Sequence, residues 1–297
     1  MRNSLRKLRL LWALCSLCPL SAVALLGGQT DTLDGFSAVV ALTPGEKPHC
    51  SATKIGAHAF LTAAHCVTRA GNLDDAFQPG RQIFVSNQVE PRMPADFTGL
   101  TITHVQLHPS YRDALNRFSS YREQQIQDYR KRYAGDDLAR RIRLLEVSPH
   151  FTSRFPDVAI LFVREPTDAI PAVEVDCTPL HQDDAVQIVG YGDDSLKNIK
   201  QVRKTSPFGR RHWGDTQVIR VDPVNFYTYG GLMRPGEASL SPGDSGGPVL
   251  RSGRVVGVNG SVYGLSHLDA ARSNMSVNLS GLGTDAGQRM GCREFFR

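Results

Sequence analysis

Gly243-Asp244-Ser245-Gly246-Gly247-Pro248 sets a serine hydroxyl between glycines, with a carboxylate beside it. Flanking glycines suit a tight turn free of side chains, whose amides can face a substrate oxygen while the hydroxyl attacks: the chemistry of a serine nucleophile. Taken alone, the stretch reads equally as a glycine-rich turn entering a hairpin over 249–259. Two upstream segments bear on that choice. Leu61-Thr62-Ala63-Ala64-His65-Cys66 ends a short apolar run on a histidine, and Phe155-Pro156-Asp157-Val158-Ala159-Ile160-Leu161 opens a strand-like run with an aspartate. The chain order is then His, Asp, Ser, one of the few orders in which a Ser-His-Asp triad occurs.

On these three segments the sequence resembles the chymotrypsin/trypsin-like serine proteases, whose hallmark segments read AAHC, DIAL and GDSGGP. The resemblance implies an all-β fold: two six-stranded antiparallel β-barrels with the active site in the cleft between them. It also implies the roles. Ser245 attacks a scissile carbonyl, His65 takes and returns the proton, and Asp157 orients the imidazole and stabilises its charged form. The amides of Gly243 and Ser245 form the oxyanion hole, and neither a metal nor any other cofactor is needed. A core histidine at position 65 and a strand-capping aspartate at 157 are the plainer readings of those residues. His49, His58, His104 and His108 lack such a context and receive no catalytic role.

The elements that must position this chemistry follow from length and composition. With 297 residues, 27 glycines, 17 prolines and short apolar runs, the chain suits many brief strands in two small domains or one large one. Its formal charge of +5 is concentrated at the start, where residues 1–24 carry Arg2, Arg6, Lys7 and Arg9 and no acid. The remainder holds 30 bases against 29 acids, a balance of +1 that argues against a nucleic-acid partner. Residues 1–24 also have the make-up of a secretory signal: a basic start, an apolar stretch from Leu10 and the small-residue pattern Ala22-Val23-Ala24. A membrane anchor is the alternative, but Ser16, Pro19 and Ser21 interrupt the apolar run and no later run is of spanning length. The expected protein is secreted or periplasmic, has no membrane anchor after signal cleavage, and acts as a monomer on a protein or peptide substrate.

Cleavage after Ala24 exposes Leu25-Leu26-Gly27-Gly28, 40 residues before His65. In the family that the sequence resembles, a mature chain beginning Ile-Val-Gly-Gly folds inward and its ammonium pairs with the aspartate before the nucleophile, here Asp244. Leu25 and Asp244 are thus an expected activation pair; otherwise Leu25 to Gly28 is the tail of the leader's apolar segment. Cys15 and Cys18 leave with the leader, so four cysteines remain, which suggests two disulfides. The resemblance implies a Cys50–Cys66 bridge around the histidine segment. Cys177 matches the connection between the family's barrels, which leaves Cys292 as its partner.

Along the mature chain, 36–42 and 50–55 read as paired strands around the turn Thr43-Pro44-Gly45-Glu46, and 100–108 as another. Then 49 residues separate His108 from Asp157, about 35 to 40 more than an ordinary connection requires. Ile126, Tyr129 and Tyr133, then Leu138, Ile142 and Leu145, recur at helical spacing with Gly135 as a break, which predicts a helical hairpin within about 112–150. Its other faces carry nine bases (Arg112, Arg117, Arg122, Arg130, Lys131, Arg132, Arg140, Arg141, Arg143) against six acids. It is either a lid or docking surface over the cleft, or a solvated embellishment.

The expected division is a leader at 1–24, a first barrel at 25–176 with its insertion, and a second barrel at 177–297. The second opens on 185–190 with Tyr191-Gly192 and continues through Lys200-Gln201-Val202, with basic Arg203 to Arg211 as exposed loop. By family position Ser239 floors the primary (S1) specificity pocket and Gly260 and Ser261 belong to its wall, which suggests a small or apolar side chain. Ser241 stands where the family has a bridged cysteine, and Glu237 is also within reach. A last strand around 275–279 and a short helix from Thr284 close the chain. Asn259, Asn274 and Asn278 fit the glycosylation pattern. A protease-fold binding protein acting through the charged insert is the alternative function. An esterase of the Gly-x-Ser-x-Gly type is disfavoured, since Asp244-Ser245-Gly246-Gly247 breaks that spacing.

Overall fold

The computed structural model describes Leu25 and residues 28–45, 50–69, 72–146, 154–192, 209–231, 233–234, 236–263, 273–284 and 290–297. The expectations for 1–24, for 200–202 and for the 203–208 part of the basic loop lie outside the described residues. Short apolar runs broken by turn residues give the strands β1 (Gln29–Thr30), β2 (Val39–Thr43), β3 (Cys50–Gly56), β4 (Ala59–Thr62), β5 (Thr68–Arg69), β6 (Asn72–Leu73), β7 (Gln82–Ser86), β8 (Thr98–Leu107) and β9 (Ala159–Val163). They continue with β10 (Ala185–Gly190), β11 (His212–Val221), β12 (Asn225–Thr228), β13 (Pro248–Arg251), β14 (Arg254–Tyr263) and β15 (Ser273–Asn278).

β2-β3-β4-β9-β8-β7 closes into one antiparallel barrel. β10, β11, β12, β13, β14 and β15 close a second through the pairing of β11 with β12. Both six-stranded barrels of the expected fold are therefore present. Closure leaves few edges, so short strands can share a core that none could bury alone. Phe60, Leu61, Ile83, Leu100 and Leu161 are among the side chains wholly buried in the first barrel's cluster. Leu25, Ile188, Val218, Phe226, Val249 and Val256 pack together in the second. Every residue of β2 is buried, because its outer side lies against the second barrel, where the Tyr191 hydroxyl donates to the Val39 carbonyl at 3.3 Å.

The two chain ends cross the expected division at 176/177. β1 pairs with β11, with Thr30 opposite His212, and Leu25 packs within the second barrel. At the other end, a short helix α3 (Cys292–Phe295) packs on the first barrel, with Gln106 Nε2 donating to the Phe295 carbonyl at 3.0 Å. The short helix expected from Thr284 falls on 285–289, outside the described residues, and α3 follows them. Bridges Cys50–Cys66 and Cys177–Cys292 are both formed, spanning 16 and 115 residues. In the chain-entropy model they stabilise the fold by about 3 and 5 kcal/mol.

The insertion is helical, as its spacing predicts: α1 (Pro109–Arg132) and α2 (Gly135–Glu146). α1 begins earlier than expected, with Pro at its first position. His108 caps it, its Nδ1 accepting from Ser110 N–H at 3.3 Å while its Nε2–H donates to the Met290 carbonyl at 2.9 Å. Only the foot of α1 is buried, through Ser110, Tyr111, Ala114 and Leu115. Gly135 takes a φ of +57°, which turns the chain into α2, and the Arg141 guanidinium lies 3.8 Å from the Tyr133 ring centroid.

The reading of Arg211 fails. Arg211, read as part of an exposed basic loop, is completely buried. Its charge is compensated: Nε bonds Asp31 Oδ2 at 2.8 Å, Nη2 meets Asp34, and Nη1 reaches the Asn87 carbonyl at 2.5 Å and the Tyr191 hydroxyl at 3.2 Å. A buried guanidinium is tolerated only with such partners, and here they tie the N-terminal segment to both barrels. Asp31→Ala leaves that cation without its main partner and is expected to lower the unfolding free energy by about 3 to 5 kcal/mol. Denaturant unfolding measures this, and a change below about 1 kcal/mol would contradict the assignment.

Candidate active site

The β4–β9 pairing places Thr62 opposite Ala159 in antiparallel register. The chain leaving β4 therefore runs beside the chain entering β9. His65, on a single helical turn just after β4, and Asp157, just before β9, meet at that barrel end. The Cys50–Cys66 bridge ties the histidine turn back to β3. Asp157 is 1 % exposed, and both of its oxygens are bonded to one residue: Oδ1 accepts from the His65 backbone N–H at 2.8 Å and Oδ2 from Nδ1–H at 2.6 Å. The imidazole is held in the tautomer that leaves Nε2 without a proton, on a side chain about one third exposed. Burial by itself would lower the His65 pKa, but the charge of Asp157 and its hydrogen bond outweigh this and hold the pKa above the ordinary imidazole value.

Tyr111, at the foot of α1, lies beside this pair, its hydroxyl 3.4 Å from Thr68 Oγ1. Burial, then the nearby Asp157 charge, push its phenol pKa up, so it stays neutral. The insertion thus starts beside the His65–Asp157 pair.

Ser245 comes from the second barrel, on the turn that precedes β13. Its turn carries left-handed glycines at Gly243, φ +105°, and Gly246, φ +85°. A Cβ on Gly246 would lie 2.2 Å from Thr62 Oγ1 and 2.3 Å from the Ser51 carbonyl, so only glycine lets the turn approach β3 and β4 this closely. Ser245 O and His65 Nε2 lie 3.7 and 3.9 Å from the same atom, Cys66 Sγ. The Ser245 hydroxyl donates to the Gly260 carbonyl at 3.2 Å and not to the imidazole. Within the turn, the N–H groups of Asp244, Gly246 and Gly247 bond Ser241, Asn259 and Asp244 carbonyls. Those of Gly243 and Ser245 bond no described residue, and they are the two expected to receive an oxyanion.

Asp244 is wholly buried, its carboxylate accepting from Gly192 N–H at 2.7 Å, Ser241 N–H at 2.8 Å and Ser241 Oγ at 3.0 Å. The serine that replaces the family's pocket cysteine is thus bonded to the expected activation residue. Leu25, here still within the longer chain and so bearing a peptide nitrogen, is buried with Ala238 and Leu240, which flank Ser239. The Ser239 hydroxyl accepts from Gly231 N–H at 2.6 Å. Gly260 lies at a bulge of β14 between Asn259 and Ser261, which takes its carbonyl out of the regular ladder and toward Ser245. Glu237 faces Arg234 at 3.6 Å.

The three glycosylation readings fail on burial. Asn259, Asn274 and Asn278 are 0 %, 1 % and 3 % exposed, and their amides are bonded inside the barrel. Asn274 is a structural clamp that sequence reasoning missed. Its Oδ1 accepts from Leu240 N–H, while Nδ2 faces Thr228 Oγ1 and the Tyr229 and Ala238 carbonyls at 2.8 to 3.1 Å, joining the two segments beside Ser239. An asparagine within a strand is unusual enough to have signalled such a role. Among the described residues, the group closest to metal-ligand geometry is Cys50, His65 and Cys66, whose two sulfurs are bonded to each other.

A family model described as a trypsin-like peptidase domain matches residues 50–258. No curated protein matches. Among solved structures, mouse neuropsin, a serine protease expressed in the limbic system, is 14 % identical, with a TM-score of 0.57 over 87 % of this chain and 96 % of that one. Human heparin binding protein is also 14 % identical, with a TM-score of 0.53 over 86 % of this chain and 92 % of the other. At that identity, the two structures show likeness of fold.

Proposed function

Because the chain belongs to the chymotrypsin/trypsin-like serine protease family, we propose that it is an exported endopeptidase cleaving peptide bonds through an acyl-enzyme on Ser245. The observation that carries this reading is the buried Asp157 carboxylate, bonded through both oxygens to His65 beside the nucleophile turn.

With Nδ1–H committed to Asp157, the Nε2 lone pair is free to take a proton. Ser245 Oγ leaves the Gly260 carbonyl by rotation about Cα–Cβ, gives its proton to Nε2 and attacks the scissile carbonyl carbon. The resulting oxyanion lies against the N–H groups of Gly243 and Ser245, where one lost donor typically costs about 10² to 10³ in rate. As the C–N bond breaks, the imidazolium returns the proton to the departing amine. Water then attacks the acyl-enzyme with His65 again as base, releasing the acid and restoring the Ser245 hydroxyl. The base works only when neutral, and its pKa is raised, so activity falls as the pH drops through a midpoint above about 6.5.

Export is supported by the leader-like composition of 1–24 and by two disulfides, which persist in oxidising compartments. Among the described residues, no helix is long and apolar enough to cross a membrane. Removal of the leader after Ala24 would turn the Leu25 nitrogen into an ammonium, which pairs with Asp244 and stiffens the oxyanion turn. No separate zymogen is then needed. With Ser239 already bonded to the backbone, a small or apolar residue suits the pocket. The alternative, docking through the charged insert, is less favoured. The Asp128–Lys131 pair and the Asp137 pairs with Arg140 and Arg141 lie within the helices themselves, as on a solvated surface.

A fluorophosphonate is expected to label the processed chain once, on Ser245, with labelling abolished in Ser245→Ala and His65→Ala; mass spectrometry reads the adduct, and an unlabelled native chain contradicts the protease reading. One residue added before Leu25 is expected to lower turnover of a peptide substrate by at least about 10²-fold with the fold intact; unchanged turnover refutes the activation pair.

A further inference from the structure

We propose that Ser51 is a positioning residue for the oxyanion turn, through a hydroxyl that bridges the two barrels. This rests on the protease reading above. Ser51 lies on β3, in the first barrel, and is wholly buried. Its Oγ donates to the Gly243 carbonyl at 2.8 Å and accepts from the Tyr191 N–H at 2.9 Å. Its backbone N–H donates to the Ser245 carbonyl at 2.8 Å, and its own carbonyl accepts from Thr62 Oγ1 at 2.8 Å. One residue of the first barrel therefore holds the carbonyls of Gly243 and Ser245, the two residues whose N–H groups are left open for an oxyanion.

The geometry makes the hydroxyl matter beyond packing. The peptide between Gly243 and Asp244 is fixed at both ends: its carbonyl by Ser51 Oγ and its N–H by the Ser241 carbonyl at 3.0 Å. Gly243, with φ +105°, has the most freedom of any residue type to rotate away, so its preceding N–H stays aimed only while that peptide is held. The Tyr191 N–H that completes the bridge precedes Gly192, whose own N–H bonds Asp244 Oδ1. Ser51 thereby braces the turn against the 190–192 segment, one residue along from the bond that Asp244 makes. An alanine keeps the backbone bond to Ser245 but leaves a buried N–H and a buried carbonyl unpaired, and these gain more by turning than by staying.

The test compares native protein, Ser51→Ala and Ser51→Thr, all processed at Leu25, on one peptide substrate well below their melting temperatures. For Ser51→Ala, kcat is expected to fall about ten- to a hundredfold with KM within about twofold, since transition-state charge and not substrate binding loses its support. Hydrogen exchange of 241–247 is expected to rise in Ser51→Ala. Ser51→Thr, which keeps the hydroxyl, is expected to stay within about threefold of the native kcat. Native turnover in Ser51→Ala, or an equal loss in Ser51→Thr, overturns the assignment. Should Ser51→Ala not fold, a Ser51→Thr variant with native stability but a tenfold lower kcat also overturns it, while native kcat in that variant supports it. A native chain that neither turns over nor labels with fluorophosphonate overturns the protease reading itself, so the two failures are distinguishable.

Discussion

A carboxylate removed from water must be bonded on all sides or lose its charge, and Asp157 is removed almost completely. It meets that demand with one neighbour, the backbone and ring of His65, and so fixes imidazole position, tautomer and basicity together. The rest of the first barrel makes this contact unavoidable. Antiparallel pairing of β4 with β9 brings the two loops together, and the Cys50–Cys66 bridge holds the histidine turn to β3.

The second half of the site arrives across a seam. Two closed barrels could sit together in many ways, and buried polar groups select one of them. Arg211 gathers Asp31 and Asp34 from the N-terminal segment, the Asn87 carbonyl from the first barrel and the Tyr191 hydroxyl from the second. Ser51 joins Tyr191 to Gly243 a few residues away. Gly246 removes the side chain that would hold the barrels apart. The N-terminal strand packs on the second barrel and the C-terminal helix on the first, so each end of the chain fastens the half to which it does not belong by order.

Much of this was legible in the sequence because the chemistry sits in contiguous segments. The Ala63-Ala64-His65-Cys66 and Gly243 to Pro248 stretches and the helical spacing around Gly135 each encode their feature locally. What escaped depends on partners far along the chain. Arg211 looked like part of a basic loop because nothing near it in sequence announces Asp31, 180 residues earlier. Asn259, Asn274 and Asn278 matched a surface motif because the motif does not record burial, whereas all three amides bond carbonyls inside the barrel. Ser51, one residue after a cysteine, carried no local sign of its bond to Gly243, 192 residues on.

The buried Asp157 carboxylate raises the proton affinity of His65. The most direct measurement is a proton and nitrogen NMR titration of the His65 ring in the native chain and in Asp157→Asn. A protected, far-downfield Nδ1–H and a titration midpoint above about 6.5 are expected in the native chain, both lost in the variant. A native His65 that titrates at or below the ordinary imidazole value, unmoved by Asp157→Asn, would contradict it.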